Sequence, residues 1–228
     1  MKISKDGDVR KQELLDAAFK LFYKKGYENT SINSIIEKVG VSKGAFYYYF
    51  KSKEEVLDKL SLQQTEKLIK IINKIVKDNK LNALDKLNKI IAGSLEYKAG
   101  HREQRQKYRR IFEQIENSKL QQRILESNVE FVQPIIQSII EQGIQEGFFN
   151  TPFPDEAAEV YIYFGYILRN MLSKYLEKID EKSENIEIVK KKLLFYEDLI
   201  ERIFGAEKGS IKIINTLLKY FLKAKNNK

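Results

Sequence analysis

Apolar residues recur at intervals of three or four along nearly the whole chain, and charged residues fill most positions between them. This spacing follows the α-helical turn of about 3.6 residues and therefore predicts amphipathic helices. No segment of useful length alternates apolar and polar residues as a half-buried strand would. Three prolines and eleven glycines leave few breaks in the pattern. The chain is therefore expected to have an all-α fold.

The first two predicted helices are separated by a short polar stretch. The first spans about residues 9–25 and ends at Gly26. Thr30 or Ser31 can cap the second helix, because either hydroxyl can accept a hydrogen bond from a backbone N–H one turn later. Gly40 ends that helix, since glycine tolerates the left-handed backbone that such a stop requires.

A third short helix follows this turn and has two different faces. Ser42 caps its start, and Phe46 and Phe50 give it an apolar back that must face the core. Lys43 and Tyr47 share another face, which combines a positive charge with an aromatic hydroxyl. Tyr48, the middle one of three consecutive tyrosines, falls between the two faces. Two short helices in this order predict a helix-turn-helix, which places its second helix in the DNA major groove. The alternative is that the tyrosines are half-buried surface residues.

The rest of the chain continues the helical pattern. Pro134 marks a kink or a new helix start, and Asp155 and Ser210 are predicted to cap the helices that they open. The helix from Asp155 is apolar around most of its circumference, so it must be buried on several sides, either inside one chain or against a second copy. These helices are predicted over residues 53–79, 81–100, 102–116, 120–147, 155–179, 186–204 and 210–224.

Composition narrows the setting in which the protein works. Lys and Arg outnumber Asp and Glu by 41 to 32, and the net charge of +9 favours an anionic partner. The chain has no cysteine, which fits a reducing cytoplasm. We see neither a signal-peptide core nor an apolar stretch long enough to span a bilayer, and we expect no membrane partner. The final helix resembles a membrane-surface helix in pattern, but we expect it to pack on the body.

Candidate catalytic chemistry is sparse. His101 is the only histidine, and it lies in the basic run GHREQRQKYRR, so neither a histidine-rich metal site nor a Ser-His-Asp triad is expected. No phosphate loop of the G-x-x-x-x-G-K-[ST] type occurs. We therefore expect no enzyme activity, no cofactor and no metal.

Two stretches of the chain carry a family resemblance. The run from Arg10 to Leu60, with AAFKLFYKKGYENTS and EKVGVSKGAFYYYFKSKEEVL, resembles the DNA-binding domain of the TetR/AcrR family of bacterial transcriptional regulators. The stretch IEQGIQEGFFNTPFPDEAAEVYIYFGYI resembles the point where the ligand domain of that family turns into its dimerising helices. The resemblance implies a helix-turn-helix domain over residues 1–55 and a helical ligand-binding and dimerisation domain over residues 56–228.

The resemblance also implies roles for individual residues of the first domain. The residues expected to meet bases and backbone are Lys43, Gly44, Ala45 and Tyr47 of the recognition helix. The residues expected to hold phosphates are Tyr49 and Lys53. The start of the preceding helix is also expected to touch phosphate, through Thr30, Ser31 and Asn33. The capping residue Ser42 belongs to the same candidate DNA-binding surface.

For the second domain, the resemblance implies a homodimer and a pocket for a small-molecule effector of unknown identity. A two-fold dimer would place two recognition helices roughly 34–36 Å apart and predicts a palindromic double-stranded operator. Aromatic surface with a few hydroxyls and one charge suits a binding cavity. The candidate lining residues are Tyr97, Tyr108, Phe112, Phe131, Tyr161, Phe164 and Arg169.

The leading hypothesis is thus a cytoplasmic, homodimeric repressor that a small molecule releases from its operator. A regulator that answers only to DNA or to a partner protein is an alternative. A third hypothesis is an all-α binding module whose helix-turn-helix is purely structural. Sequence-specific DNA binding separates the first two hypotheses from the third.

Overall fold

The computed structural model describes residues 5–99, 118–176 and 183–215. All regular structure within these ranges is α-helical, which confirms the predicted fold class. The predicted helix 102–116 and the end of the last helix lie outside the described residues. The helices are α1 (Lys5–Lys25), α2 (Ile32–Val39), α3 (Lys43–Tyr49), α4 (Lys53–Val76), α5 (Ala83–Ala99), α6 (Ser118–Gln145), α7 (Pro154–Leu176) and α8 (Ser183–Phe204).

The chain divides into two compact units that are not continuous in sequence. The first comprises Met1–Thr65 and Gln106–Ser127, and the second comprises Glu66–Arg105 and Asn128–Lys228. The single boundary predicted between residues 55 and 56 therefore differs from the observed division. The prediction placed the boundary at the start of α4, whereas the first turns of that helix bury Val56, Leu57 and Leu60 in the core of the first unit.

The three helices that the sequence predicts for the first unit, α1 to α3, contribute most of its buried core. Leu14, Ala18 and Phe22 of α1 are fully buried, as are Ile35 of α2 and Phe46 of α3. The three residues of α1 recur four positions apart, so one stripe of that helix faces the core. Removal of this apolar surface from water is what holds such short helices in place.

The caps of α2 and α3 also follow from the sequence. The Ser31 hydroxyl accepts a hydrogen bond from the Ser34 N–H, and the Ser42 hydroxyl accepts one from the Ala45 N–H, each at 3.1 Å. Gly40 ends α2 with φ of 76°, a left-handed conformation that costs glycine little. These contacts fix the turn between the two helices.

The second unit has its own apolar core, which several helices share. Leu87 of α5, Ile136 of α6, Leu193 and Phe204 of α8 are fully buried in it. Residues 118–145 form one helix, α6, and not a pair that breaks at Pro134. This proline lies inside the helix and is exposed.

Two predicted caps in the second unit are wrong. Helix α7 begins at Pro154, a residue suited to a first helical position because its missing N–H is not needed there. Asp155 therefore lies inside the first turn, where its carboxylate accepts a hydrogen bond from the Gln133 amide at 2.6 Å. The hydroxyl of Ser210 is buried without a hydrogen-bond partner among the described residues, so it does not cap the helix after it.

Carboxylates of α8 take the place of the predicted Ser210 cap. Glu197 accepts a hydrogen bond from the Ile214 N–H at 2.7 Å, and Glu201 accepts from the N–H groups of Gly209 and Ile211 at 2.8 and 3.1 Å. These acceptors are remote in sequence, so no local pattern around residue 210 could reveal them.

Candidate nucleic-acid interface

Helix α3 presents an aromatic and basic face to solvent. Tyr47 and Tyr48 are 47% and 57% exposed, and Lys43 and Gly44 at the start of the helix are exposed as well. The Tyr47 ring packs edge-on against Phe46, with ring centroids 5.5 Å apart, so it is held although it is exposed. Lysine and tyrosine can both reach DNA phosphates and base edges.

The opposite side of α3 anchors it to the first unit. Phe46 and Phe50 are buried, and their ring centroids lie 5.8 Å apart. Together with the Ser42 cap, this burial fixes the rotation of α3 about its own axis. The outward direction of the Lys43 and Tyr47 side chains is therefore set by packing on the other side of the helix.

Tyr48 is a candidate that the sequence pattern did not assign to a face. Its ring packs edge-on against Tyr49, with centroids 4.9 Å apart, while Tyr49 is half-buried and lies against the core of the first unit. Of the two, Tyr48 therefore offers more free surface to a ligand. The only available signal was its position between the apolar and polar faces, which periodicity leaves ambiguous.

The start of α2 contributes a second exposed stretch. Ser31 and Asn33 are exposed, as expected for residues that touch a phosphate. Thr30 differs, because it is 1% exposed and its hydroxyl donates a hydrogen bond to the Gly26 carbonyl at 2.7 Å. The structure thus places the Thr30 side chain inside the domain, where it stabilises the end of α1.

Lys53 is likewise occupied inside the first unit. Its ammonium group donates hydrogen bonds to the carbonyls of Tyr27 and Thr30, at 2.8 and 2.9 Å, and lies 4.2 Å from the centre of the Tyr27 ring. Burial lowers the pKa of Lys53 below its usual value, partly offset by the Glu28 carboxylate. The same burial raises the pKa of Tyr27 to about 12, with further contributions from Glu54 and Glu28. Lys53 therefore links backbone carbonyls inside the first unit and does not lie with the exposed candidates.

Packing around α3 does not require glycine at position 44. A Cβ built at this position would meet nothing nearer than the Ser42 hydroxyl oxygen, at 3.8 Å. Glycine in a helix costs roughly 0.5–1 kcal/mol relative to alanine. The half-buried Ala45 follows it, so the beginning of α3 presents little side-chain bulk.

The seven candidates for an effector pocket are only partly described. Tyr161 and Phe164 pack against the core of the second unit, with Tyr161 6.0 Å from the Phe204 ring and Phe164 6.2 Å from the Tyr196 ring. Phe131 is 41% exposed. Burial raises the pKa of the Tyr161 hydroxyl above its usual value. Four candidates have no described side chain: Tyr97, Tyr108, Phe112 and Arg169.

Two other kinds of site are absent from the described ranges. No group of three or more His, Asp or Glu residues there could hold a metal ion. No described helix is long and apolar enough to cross a membrane.

Comparisons with known proteins point to the same segment. Residues 14–60 match the family model of bacterial regulatory proteins of the tetR family. An uncharacterized HTH-type transcriptional regulator of Lactococcus lactis subsp. lactis is 53% identical over 45 residues, which are 20% of this chain and only 23% of that protein. This similarity is therefore confined to the helix-turn-helix region.

Two further similarities extend into the second unit. The fatty acid metabolism regulator protein of Bacillus subtilis is 29% identical over 139 residues, covering 59% of this chain and 68% of that protein. The crystal structure of the transcriptional regulator FadR from Bacillus subtilis in complex with stearoyl-CoA superposes with a TM-score of 0.58 and 21% identity. It covers 88% of this chain and 99% of that chain, so the two proteins share their fold over most of their length.

Proposed function

We propose that this chain is a regulator of the TetR family, whose model matches residues 14–60. In this proposal it is a repressor that binds a palindromic DNA operator as a homodimer and leaves it when a small molecule binds. The observation that carries the proposal is the face of α3. Packing and capping on one side of this helix hold Lys43, Tyr47 and Tyr48 outwards on the other. A helix presented in this way fits the major groove.

We assign the DNA contacts from exposure together with position in the helix-turn-helix. Lys43, Gly44, Ala45, Tyr47 and Tyr48 would meet bases and the adjoining backbone. A second group at the ends of the motif would hold phosphates: Ser31, Asn33, Ser42 and Tyr49. Thr30 and Lys53 would act indirectly, by fixing the loop that precedes α2.

Exposed apolar residues on α7 and α8 support the homodimer. Tyr163 and Ile167 lie exposed on α7, and Leu194 and Phe195 lie exposed on α8, although α7 and α8 pack on each other elsewhere. A Cβ at Gly165 would meet no described atom within 4 Å, so a second helix could approach closely there. Covering this surface with a second copy would remove it from water.

The proposal for the effector draws on two similar proteins. One relative is a fatty acid metabolism regulator, and one solved structure of the same fold holds stearoyl-CoA. Tyr161 and Phe164 would give a mostly apolar wall with one hydroxyl to such a ligand. Stearoyl-CoA is therefore the first effector to test, with free coenzyme A as its control. A repressor of this kind acts on the bacterial chromosome and hence in the cytoplasm.

Selection of bound sequences from a random pool of double-stranded DNA tests the proposal. We expect wild type to recover a palindrome and the Lys43→Ala/Tyr47→Ala variant to lose it, since each contact contributes about 1–3 kcal/mol. Stearoyl-CoA should then lower the affinity for that palindrome, and linkage requires the palindrome to lower stearoyl-CoA affinity by the same factor. Failure of folded wild type to enrich any motif would refute sequence-specific binding.

A further inference from the structure

The first three turns of α6 belong to the DNA-binding unit, far along the chain from the helix-turn-helix. Leu120 and Ile124 are 1% and 5% exposed and are buried with the side chains of α1 to α4. Residues spaced four apart on a helix share one face, so this part of α6 is seated along a single stripe. The core of the first unit therefore includes a helix that the family model over residues 14–60 does not cover.

Two ion pairs flank these buried residues. The Lys119 ammonium lies 2.9 Å from the Glu28 carboxylate, and the Arg123 guanidinium lies 3.2 Å from the Asp58 carboxylate. Hydrogen bonding to Lys119 lowers the pKa of Glu28 below its usual value. The pairs join α6 to two places in the unit, the loop between α1 and α2 and the second turn of α4.

Two lysines from other parts of the first unit hold the loop between α1 and α2. Lys119 lies 5.5 Å from the centre of the Tyr27 ring, and Lys53 lies 4.2 Å from the same ring. Tyr27 is buried, and its carbonyl accepts hydrogen bonds from Lys53 and from the Thr30 N–H. Directly after this loop, Ser31 caps α2.

We propose that Lys119, Leu120, Arg123 and Ile124 form a clasp that positions the helix-turn-helix for DNA binding, an inference that rests on the proposed function. The clasp holds Tyr27 and Glu28 and thereby fixes where α2 begins. Helix α3 follows α2 after a tight turn, so its placement depends on the same loop. None of the four clasp residues contacts DNA, and their side chains act through the loop as positioning residues.

Helix α6 extends beyond the clasp. After residue 127, the same helix continues through Val132, Ile136 and Ile139, which are buried in the core of the second unit.

Reversal of the clasp charges tests the positioning role. Lys119→Glu/Arg123→Glu turns two attractions into repulsions and should weaken binding of the selected palindrome about five- to tenfold. Adding Glu28→Lys/Asp58→Arg restores opposite charges and should return the affinity to within about twofold of wild type. Lys20→Glu/Lys24→Glu makes the same change in net charge on exposed positions of α1 and should weaken binding less.

Backbone amide hydrogen exchange supplies a readout that separates positioning from global unfolding. In the Lys119→Glu/Arg123→Glu variant, amides in the first turn of α2 should exchange faster, while those of the α8 core stay protected. Equal affinities for the clasp variant and the α1 control, or no rescue by the restored pairs, would overturn the clasp. Wild type that fails to distinguish the palindrome from shuffled DNA would instead refute the proposed function.

Discussion

At the scale of single residues, Gly44 is a position where folding stability and the proposed DNA binding favour different residues. It is exposed in the first turn of α3, and its surroundings leave room for a Cβ. The isolated domain therefore gains nothing from glycine there. Under the proposed function, a bound duplex would approach the helix backbone closely at this position.

Gly44→Ala should accordingly change stability and operator affinity in opposite directions. We expect the free energy of unfolding to rise by roughly 0.5–1 kcal/mol, because alanine has a higher helix propensity. Affinity for the selected operator should fall at least about tenfold, because the methyl group would stand between α3 and the DNA. Thermal unfolding and fluorescence anisotropy measure the two effects, and undiminished operator affinity would exclude close backbone approach at this position.

Lys53 is the residue whose expected role changes most once its surroundings are visible. Lys53→Met should lower the free energy of unfolding by about 1.5–3 kcal/mol, because two backbone carbonyls lose a charged donor. The slope of log affinity against log salt should change by less than the value of about 0.9 that one lost phosphate contact causes. Lys51→Met removes the same charge from an exposed neighbour and serves as the control. A stable Lys53→Met protein with a flattened slope would restore the phosphate role.

The outward residues of α3 could be predicted from sequence. Two phenylalanines on one side of a short helix must face the core, so the residues on the other side must face solvent. The roles of Thr30 and Lys53 could not. Both residues bond to backbone carbonyls, Thr30 four positions back and Lys53 more than twenty positions back. Such partners have no signature in the side-chain pattern.

At the scale of elements, α8 carries two carboxylates that replace a local helix cap. Glu197 and Glu201 lie one turn apart and accept backbone N–H groups of residues 209–214. Burial raises the pKa of Glu197 above its usual value, the bonds from Ile214 and Ile213 oppose this, and the nearby Glu201 adds to it. Folding thus disfavours the charged form of Glu197.

Glu197→Gln should stabilise the protein at neutral pH and not at acid pH. The raised pKa means that the contribution of Glu197 to stability is fully present below pH 4.5 and is lost as the pH rises through its higher folded-state value. Glutamine keeps an oxygen acceptor for the Ile214 N–H and cannot ionise. Because the carboxyl is partly solvated, we expect a gain of at most about 1 kcal/mol at pH 7. Denaturant unfolding at pH 7 and pH 4 measures it, and a variant less stable than wild type at pH 7 would contradict the expectation.

Helix identities were predictable and several helix ends were not. Periodicity located α1 to α8 because each buries one stripe. The predicted start of α7 at Asp155 missed the observed start by one residue, since Pro154 fits the first helical position. Helix α4 ends at Val76, three residues before the prediction, because polar residues beyond the last core position carry no signal.

At the scale of the whole molecule, the two units are interleaved along the chain. The first unit takes residues from α6 as well as from the first 65 residues. Composition and resemblance could locate the helix-turn-helix, but the return of α6 to it depends on tertiary packing of Leu120 and Ile124. Sequence alone therefore suggested a simpler division.

The exposed apolar residues of α7 and α8 predict a dimer that a single charge can disrupt. Phe195→Asp should shift the protein towards monomer, because a carboxylate buried in an interface without a partner is costly. Phe153→Asp is a matched control, since both phenylalanines are 61% exposed and Phe153 lies before α7. Analytical ultracentrifugation distinguishes the two, and a Phe195→Asp protein that stays dimeric at the lowest measurable concentration would exclude this surface.

The central claim is that α3 reads a DNA sequence, and an equilibrium titration tests it most directly. Wild type is titrated at fixed physiological salt against the selected palindrome, one half-site and a shuffled duplex of equal length. We predict that the palindrome binds at least about 10³-fold more tightly than the shuffled duplex, and the half-site in between. Affinities for all three duplexes within a few-fold of each other would contradict sequence reading and leave the helix-turn-helix a structural element.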